Sequence, residues 1–163
     1  MNQNQPQTAG AWQPTAPVRA GPAEGVIYAG FWIRVVAWII DGIAIGVLTS
    51  ALAPLLGTGP MVGVDGTTFE VNYAANALGG LVGLVYFVGL WSWRSQTLGM
   101  MPFGLWVLRA EDGGRLDVVR AFLRYVGLII SFAVLLLGVI WVAFDGSKQG
   151  WHDKLARTVV VRR

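Results

Sequence analysis

Two pairs of residues in this chain have types and spacing suited to chemistry. The first is Arg34 and Asp41, which stand inside the otherwise apolar run FWIRVVAWIIDGIAIGVLTSALA, residues 31–53. An ionisable side chain at the centre of a bilayer costs about 2.5 kcal/mol or more on insertion scales, so such a residue signals a functional site by default. Seven residues make two helical turns, which puts both side chains on one face, about 10.5 Å apart along the axis. That is too far for a direct ion pair. Trp38 lies between them on the same face. Arg34, near the start of the run, can extend to the interface as a basic anchor. Asp41 lies deeper and needs a partner or water. For Asp41 the functional reading is an ion, proton or solute contact; the plain one is a satisfied polar contact between helices.

The second pair is His152 and Asp153, in GWHDKLART, residues 150–158. A neighbouring His and Asp suggest a catalytic dyad, but no nucleophile elbow accompanies them. The sequence therefore predicts no enzyme. One histidine and scattered carboxylates are too few for a metal set, and no metal or cofactor is expected. The segment is expected to dock on the rest of the protein, with Asp153 contacting an arginine. The absence of cysteine removes disulfides and thiolate chemistry.

The elements that must position these residues follow from hydropathy. Apolar residues make up 55% of the 163-residue chain and charged residues 13%, about half the charge of an ordinary soluble protein. A lipid-facing surface has no need of a polar coat. The run 31–53 is long enough to cross a hydrocarbon core of about 30 Å, and Pro54, Gly57, Gly59 and Pro60 end it. A second run, residues 74–93, closes on Tyr86, Trp91 and Trp93, as at a membrane interface. Gly42 and Gly46 in the first run, and Gly79 and Gly83 in the second, form GxxxG pairs that predict close helix packing. Asn76 lies near the second pair and could reach a polar partner across that interface.

A basic connection, residues 94–124, contains TLGMMPFGLWVL. That piece is too short to span and is broken by Pro102, which predicts an interfacial or re-entrant segment. The turn EDGGR follows at 111–115. Residues 116–125 place Arg120 and Arg124 on one face, as in an amphipathic lead-in lying on the membrane surface. Residues 126–144 form a third apolar run. The tail beyond it is basic, and its closing TVVVRR suggests a short strand. Residues 1–25 read as a disordered polar tail, and 26–163 as one transmembrane domain.

The connection between the first two runs, residues 54–73, has no Lys or Arg, whereas the next is rich in them. Basic loops stay in the cytoplasm, so the N-terminus is expected inside a multi-pass plasma-membrane protein. The tail raises a conflict. A full third crossing would export it although it is basic. A re-entrant hairpin, broken near Gly127 or Gly138, would keep it inside. Three spans are the expectation, with the side of the C-terminus open.

FWIRVVAWIIDG, SQTLGMMPFGLWVLRAEDGGRL, RAFLRY and QGWHDKLARTVVV together resemble the RDD family of bacterial membrane proteins. The resemblance covers about residues 30–161. It implies Arg34 as the family arginine, with Asp41 and Asp153 as its two aspartates and Asp145 as a rival for the last place. Met100 departs from the family, which usually has a basic residue there, and so does Arg157, where a small residue is frequent. The family is suggested to take part in transport of unidentified ligands. The combined expectation is an all-α, small polytopic membrane protein with about three transmembrane helices and an interfacial or re-entrant segment. It would be transport-related, with Arg34, Asp41 and Asp153 forming an intramembrane site for a cation, a proton or a small solute. Trp38, Asn76 and His152 would support that site. Three spans enclose a pathway poorly, so a homo-oligomer or larger membrane complex is expected in the bilayer. The modest net charge of +3 suggests no nucleic-acid partner. The rival is a non-transporting accessory or assembly subunit for another membrane protein, in which the charges are internal structure and Arg34 pairs with Asp153 of the docked tail.

Overall fold

The computed structural model describes residues 26–59, 62–64, 69–134 and 136–163. The expected disordered tail, residues 1–25, lies outside them. The described chain begins with β1 (Ile27–Tyr28), followed at once by helix α1 (Phe31–Leu52). Pro54 opens a 3-10 turn after α1, and Gly57, at φ +65°, ends it. A hairpin of β2 (Val62–Val64) and β3 (Phe69–Val71) leads into α2 (Tyr73–Arg94). The side chain of Asn72 caps α2 by accepting from the N–H of Ala75, which satisfies one of the otherwise orphaned donors of a first turn.

α1 and α2 are each long and apolar enough to span a bilayer. Their outer faces expose Trp32, Ile39, Ile43 and Val47 on α1, and Leu81 and Val85 on α2. Exposure of so much continuous apolar surface is stable against lipid and unstable against water. This is a small helical membrane protein.

After α2 the chain folds back. Ser95 takes a left-handed conformation, φ +59°, and residues 95–100 run between α1 and α2. A 3-10 turn at Met101–Phe103 then leads to β4 (Leu105–Arg109). The predicted interfacial or re-entrant piece is thus half re-entering loop and half strand. Asp117 caps α3 (Val118–Ala133), accepting from Arg120 N–H at 2.8 Å. α3 merges the expected surface lead-in with the first half of the third apolar run. The chain bends by 113° between α3 and the stretch Leu137–Ala143, which contains α4 (Leu137–Ile140). α3 ends at Ala133 and α4 begins at Leu137, so the break falls between the two glycines named as candidate break points. Leu136 is left-handed there, φ +63°, a conformation a branched apolar residue seldom adopts. Gly138 lets α4 fold back, since a Cβ there would collide with Ser131.

The tail forms α5 (Trp151–Ala156) and β5 (Thr158–Arg162). β5 is the centre of a three-stranded antiparallel sheet, order β1-β5-β4, with Leu105 opposite Arg162 and Tyr28 opposite Val161. Its alternating side chains serve two faces. Val160 joins the helix-facing core with Trp91, Leu105 and Val107, while Val159 and Val161 pack with Leu108 and Tyr28 on the other. The sheet bears on the conflict over the tail. β1 precedes α1, β4 follows α2 and β5 follows the bent run, yet all three are hydrogen-bonded at one end of the helices. The bent run therefore begins and ends toward the same end of α1 and α2.

Candidate functional site

The three residues of the expected site fall into two separate clusters. Asp41 is fully buried in the middle of α1. Its carboxylate accepts from Tyr86 Oη at 2.6 Å, from Thr97 Oγ1 at 2.6 Å and from the backbone N–H of Gly99 at 2.7 Å. Tyr86 comes from α2, and the other two from the re-entering loop. Tyr86 Oη also accepts from Leu98 N–H at 3.2 Å. One carboxylate thus ties both spans to the loop. Among the described residues no ion pair involves Asp41. Gly99 is obligatory here. A Cβ on it would overlap the carbonyl oxygen of Ala37 and lie 2.9 Å from both that carbonyl carbon and the Asp41 carboxyl carbon.

Arg34 and Asp153 belong to the second cluster, at the sheet end. Arg34 Nη1 donates to Asp153 Oδ2 at 2.8 Å. Its remaining donors reach the carbonyls of Ala29, Lys148 and Val160 at 3.1, 2.6 and 3.4 Å. A planar fork with several donors suits this arrangement of acceptors better than a lysine ammonium would. Arg124 of α3 is the second arginine. Its Nη1 donates to Asp153 Oδ1 and to Thr158 Oγ1, and its guanidinium lies over the Trp91 ring, 4.8 Å from the centroid. Asp153 is fully buried and also accepts from Gly150 N–H at 3.1 Å. Burial alone would raise its carboxyl, but Arg124 and Arg34 override this and hold it well below the usual carboxylate range. The rival aspartate, Asp145, pairs with Lys154 at 2.5 Å instead.

His152 is buried with its Nε2 3.6 Å from Asp153 Oδ2. Burial pushes the imidazole down to about 4. Asp153 works the other way, and Arg124 and Arg34 add to the fall. It is therefore neutral near pH 7. Gly127 makes room for it, since a Cβ there would lie 2.9 Å from His152 Cα.

The remaining expected residues separate in the same way. Trp38 stacks on Phe132 of α3, ring centroids 4.0 Å apart. Asn76 donates to the carbonyl of Asn72, in the first turn of its own helix. Within this chain Gly42 and Gly46 make no close helix contact among the described residues. A Cβ at either meets nothing within 4 Å. Gly83 does sit at a contact, 3.2 Å from Tyr125 Oη for an added Cβ. For Gly79 the burial is intermediate. Arg124 needs correction. The surface lead-in put it beside Arg120, but Arg120 is partly exposed against Glu111 and Asp117 while Arg124 is buried. The legible signal was its register with Ala121, Leu128 and Ser131, the buried stripe of α3. Tyr86, Thr97 and Gly99 carry no such signal, since their partner is distant in sequence. Among the described residues no group of three or more His, Asp or Glu is arranged to hold a metal.

Fold and charge placement define a small helical integral membrane protein with a buried Arg–Asp–Arg cluster. The chain belongs to the RDD family, whose model matches residues 28–157. It is 35% identical over 147 residues to the uncharacterized membrane protein YteJ of Bacillus subtilis (strain 168), covering 86% of this chain and 87% of that one. It is 31% identical over 147 residues to the uncharacterized protein YxaI of the same organism, covering 82% and 96%. No solved structure matches the chain.

Proposed function

We propose that the protein is a transport-related subunit in which Asp41 takes up a proton or a monovalent cation. The observation that carries this is a buried carboxylate, midway along a spanning helix, held only by the neutral donors Tyr86, Thr97 and Gly99. An uncompensated negative charge at such depth is costly, and uptake of a cation removes the cost. Two spans and a bent hairpin enclose a pathway poorly, so the working form is a homo-oligomer or part of a larger complex in the plasma membrane. The basic sheet end faces the cytoplasm by the positive-inside rule, with both termini there. The role is not catalytic.

The test is Asp41→Asn, compared with the unaltered protein in vesicles under an imposed pH or sodium gradient. The proposal expects the variant to accumulate and fold while gradient-driven flux disappears. A second reading, the accessory subunit, is favoured by the same hydrogen bonds, since every donor around Asp41 also pins the loop. It expects Asp41→Asn to lower abundance or assembly, with no flux from the unaltered protein. That second outcome would overturn the transport reading.

A further inference from the structure

A small cavity of about 50 Å³ lies beside the Arg–Asp–Arg cluster, lined by Arg34, Trp38, Trp91, Arg124 and His152, with an apolar floor that includes Leu128. Three polar atoms of its lining residues are buried with no hydrogen-bond partner among the described residues: Trp91 Nε1, Arg124 Nε and His152 Nδ1. Buried polar groups are nearly always paired, so three orphans around one cavity need a cause. Indole and guanidinium nitrogens can only donate. The His152 nitrogen can donate in one tautomer. Two of the three, Trp91 Nε1 and Arg124 Nε, are donors on residues that line the cavity and lack an acceptor; His152 Nδ1 lies beside Gly150.

Charge gives the same answer. Two guanidiniums face one carboxylate, Asp153, whose oxygens already accept from Arg34, Arg124 and Gly150. The imidazole is neutral. Asp145 also acts on Arg34 but is shared with Lys154, so two acids stand against three basic groups. One positive charge is left uncompensated in a buried place, which is expensive unless a counter-charge arrives. A water molecule could accept from the orphaned donors but could not neutralise them. A buried water needs roughly 10–15 Å³ of such space, so the volume suits a few waters or one small ion and excludes a phosphate-bearing lipid headgroup.

We infer that this cavity binds one small inorganic monoanion of halide size, held by Arg124 Nε and Trp91 Nε1 next to Arg34. The largely apolar lining favours weakly hydrated anions, so bromide binds at least as well as chloride, and fluoride and sulfate bind poorly. The site does not depend on Asp41 or on transport, because binding is read at equilibrium without a gradient.

The experiment is chloride-35 NMR on the full chain purified in detergent, with sodium gluconate as the background salt. The expected result is excess chloride line width that bromide removes saturably and fluoride does not. Trp91→Phe keeps the ring and removes one donor; it should weaken binding about tenfold, the loss of one charge-assisted hydrogen bond. Arg124→Gln should abolish it. If Arg124→Gln fails to fold, Trp91→Phe decides alone, with circular dichroism checking its fold. Line width that bromide does not compete away means that water fills the cavity, and overturns the inference. Competition that is equally strong in Trp91→Phe places the anion elsewhere, and overturns it too.

Discussion

Asp153→Asn is the substitution with the most to say about how this protein holds together. It keeps the size of the side chain and removes its charge. Arg34 and Arg124 then confront each other across a neutral amide in a buried place, with Asp153 fully buried in the unaltered protein. Breaking a buried pair by removing one partner typically costs about 3–5 kcal/mol, because the remaining charge stays buried. Here two charges are stranded by one change, so the upper half of that range is expected. Total stabilities are about 5–15 kcal/mol, which makes this a large share. The assay is reversible unfolding of purified protein in mixed micelles as the denaturing detergent fraction rises, followed by far-UV circular dichroism. Trypsin cleavage after Lys154 and Arg157, whose side chains are exposed but whose backbone is held in α5 and beside β5, reports release of the tail. The double variant Arg124→Gln with Asp153→Asn should recover part of the loss, and the cycle isolates the pair from each residue's other contacts. A loss below about 1 kcal/mol with unchanged cleavage would refute the reasoning. It would mean that strand pairing of β5 holds the tail and that the ion pairs contribute little net.

Other expectations follow from the same geometry. His152 is the only histidine, with an ordinary value of 6.5 and a folded one of about 4. The unfolded chain therefore binds a proton first, and stability present above pH 6.5 is lost as pH falls to 4, by about 3 kcal/mol at about 1.36 kcal/mol per pH unit; the pH-dependence of unfolding should flatten over that window in His152→Gln. Gly99→Ala should cost several kcal/mol, on the order of a severe overpacking, because its Cβ meets the backbone of Ala37, a fixed neighbour; melting in detergent measures it. Gly42→Ala and Gly46→Ala meet nothing and should leave melting unchanged or raise it, as alanine favours a helix by about 1 kcal/mol over glycine. A reporter active on one side of the membrane should give the same signal when fused to either terminus, because β1 and β5 are paired; opposite signals would contradict the sheet.

Much of this protein was legible in its residues taken alone. Hydropathy is a sum over some twenty consecutive positions, so α1 and α2 could be read within a residue or two of their ends. Asp41 stood out because a charge in apolar company is rare whatever surrounds it, and Asp153 because it neighbours the only histidine and falls in the closing segment that resembles the family. The tail's closing strand showed as a run of β-branched residues. Pairing, in contrast, is a property of space. Arg34 and Asp41 share a helix face but not a cluster, because Arg34 finds its carboxylate 119 residues away and Asp41 finds hydroxyls on α2 and the re-entering loop. Arg124 looked like surface charge until α3 was seen to turn that stripe inward. The glycines of α1 looked like a helix contact, yet the close approach to α1 belongs to Gly99, in a loop with no periodicity to read. The third apolar run carried enough hydropathy to cross in one piece, and only the tertiary structure shows it bent by 113° with β5 paired between β1 and β4. Local sequence decided what enters the membrane; the tertiary structure decided which charges meet there, since burial lets a charge survive only beside the partner that the fold delivers.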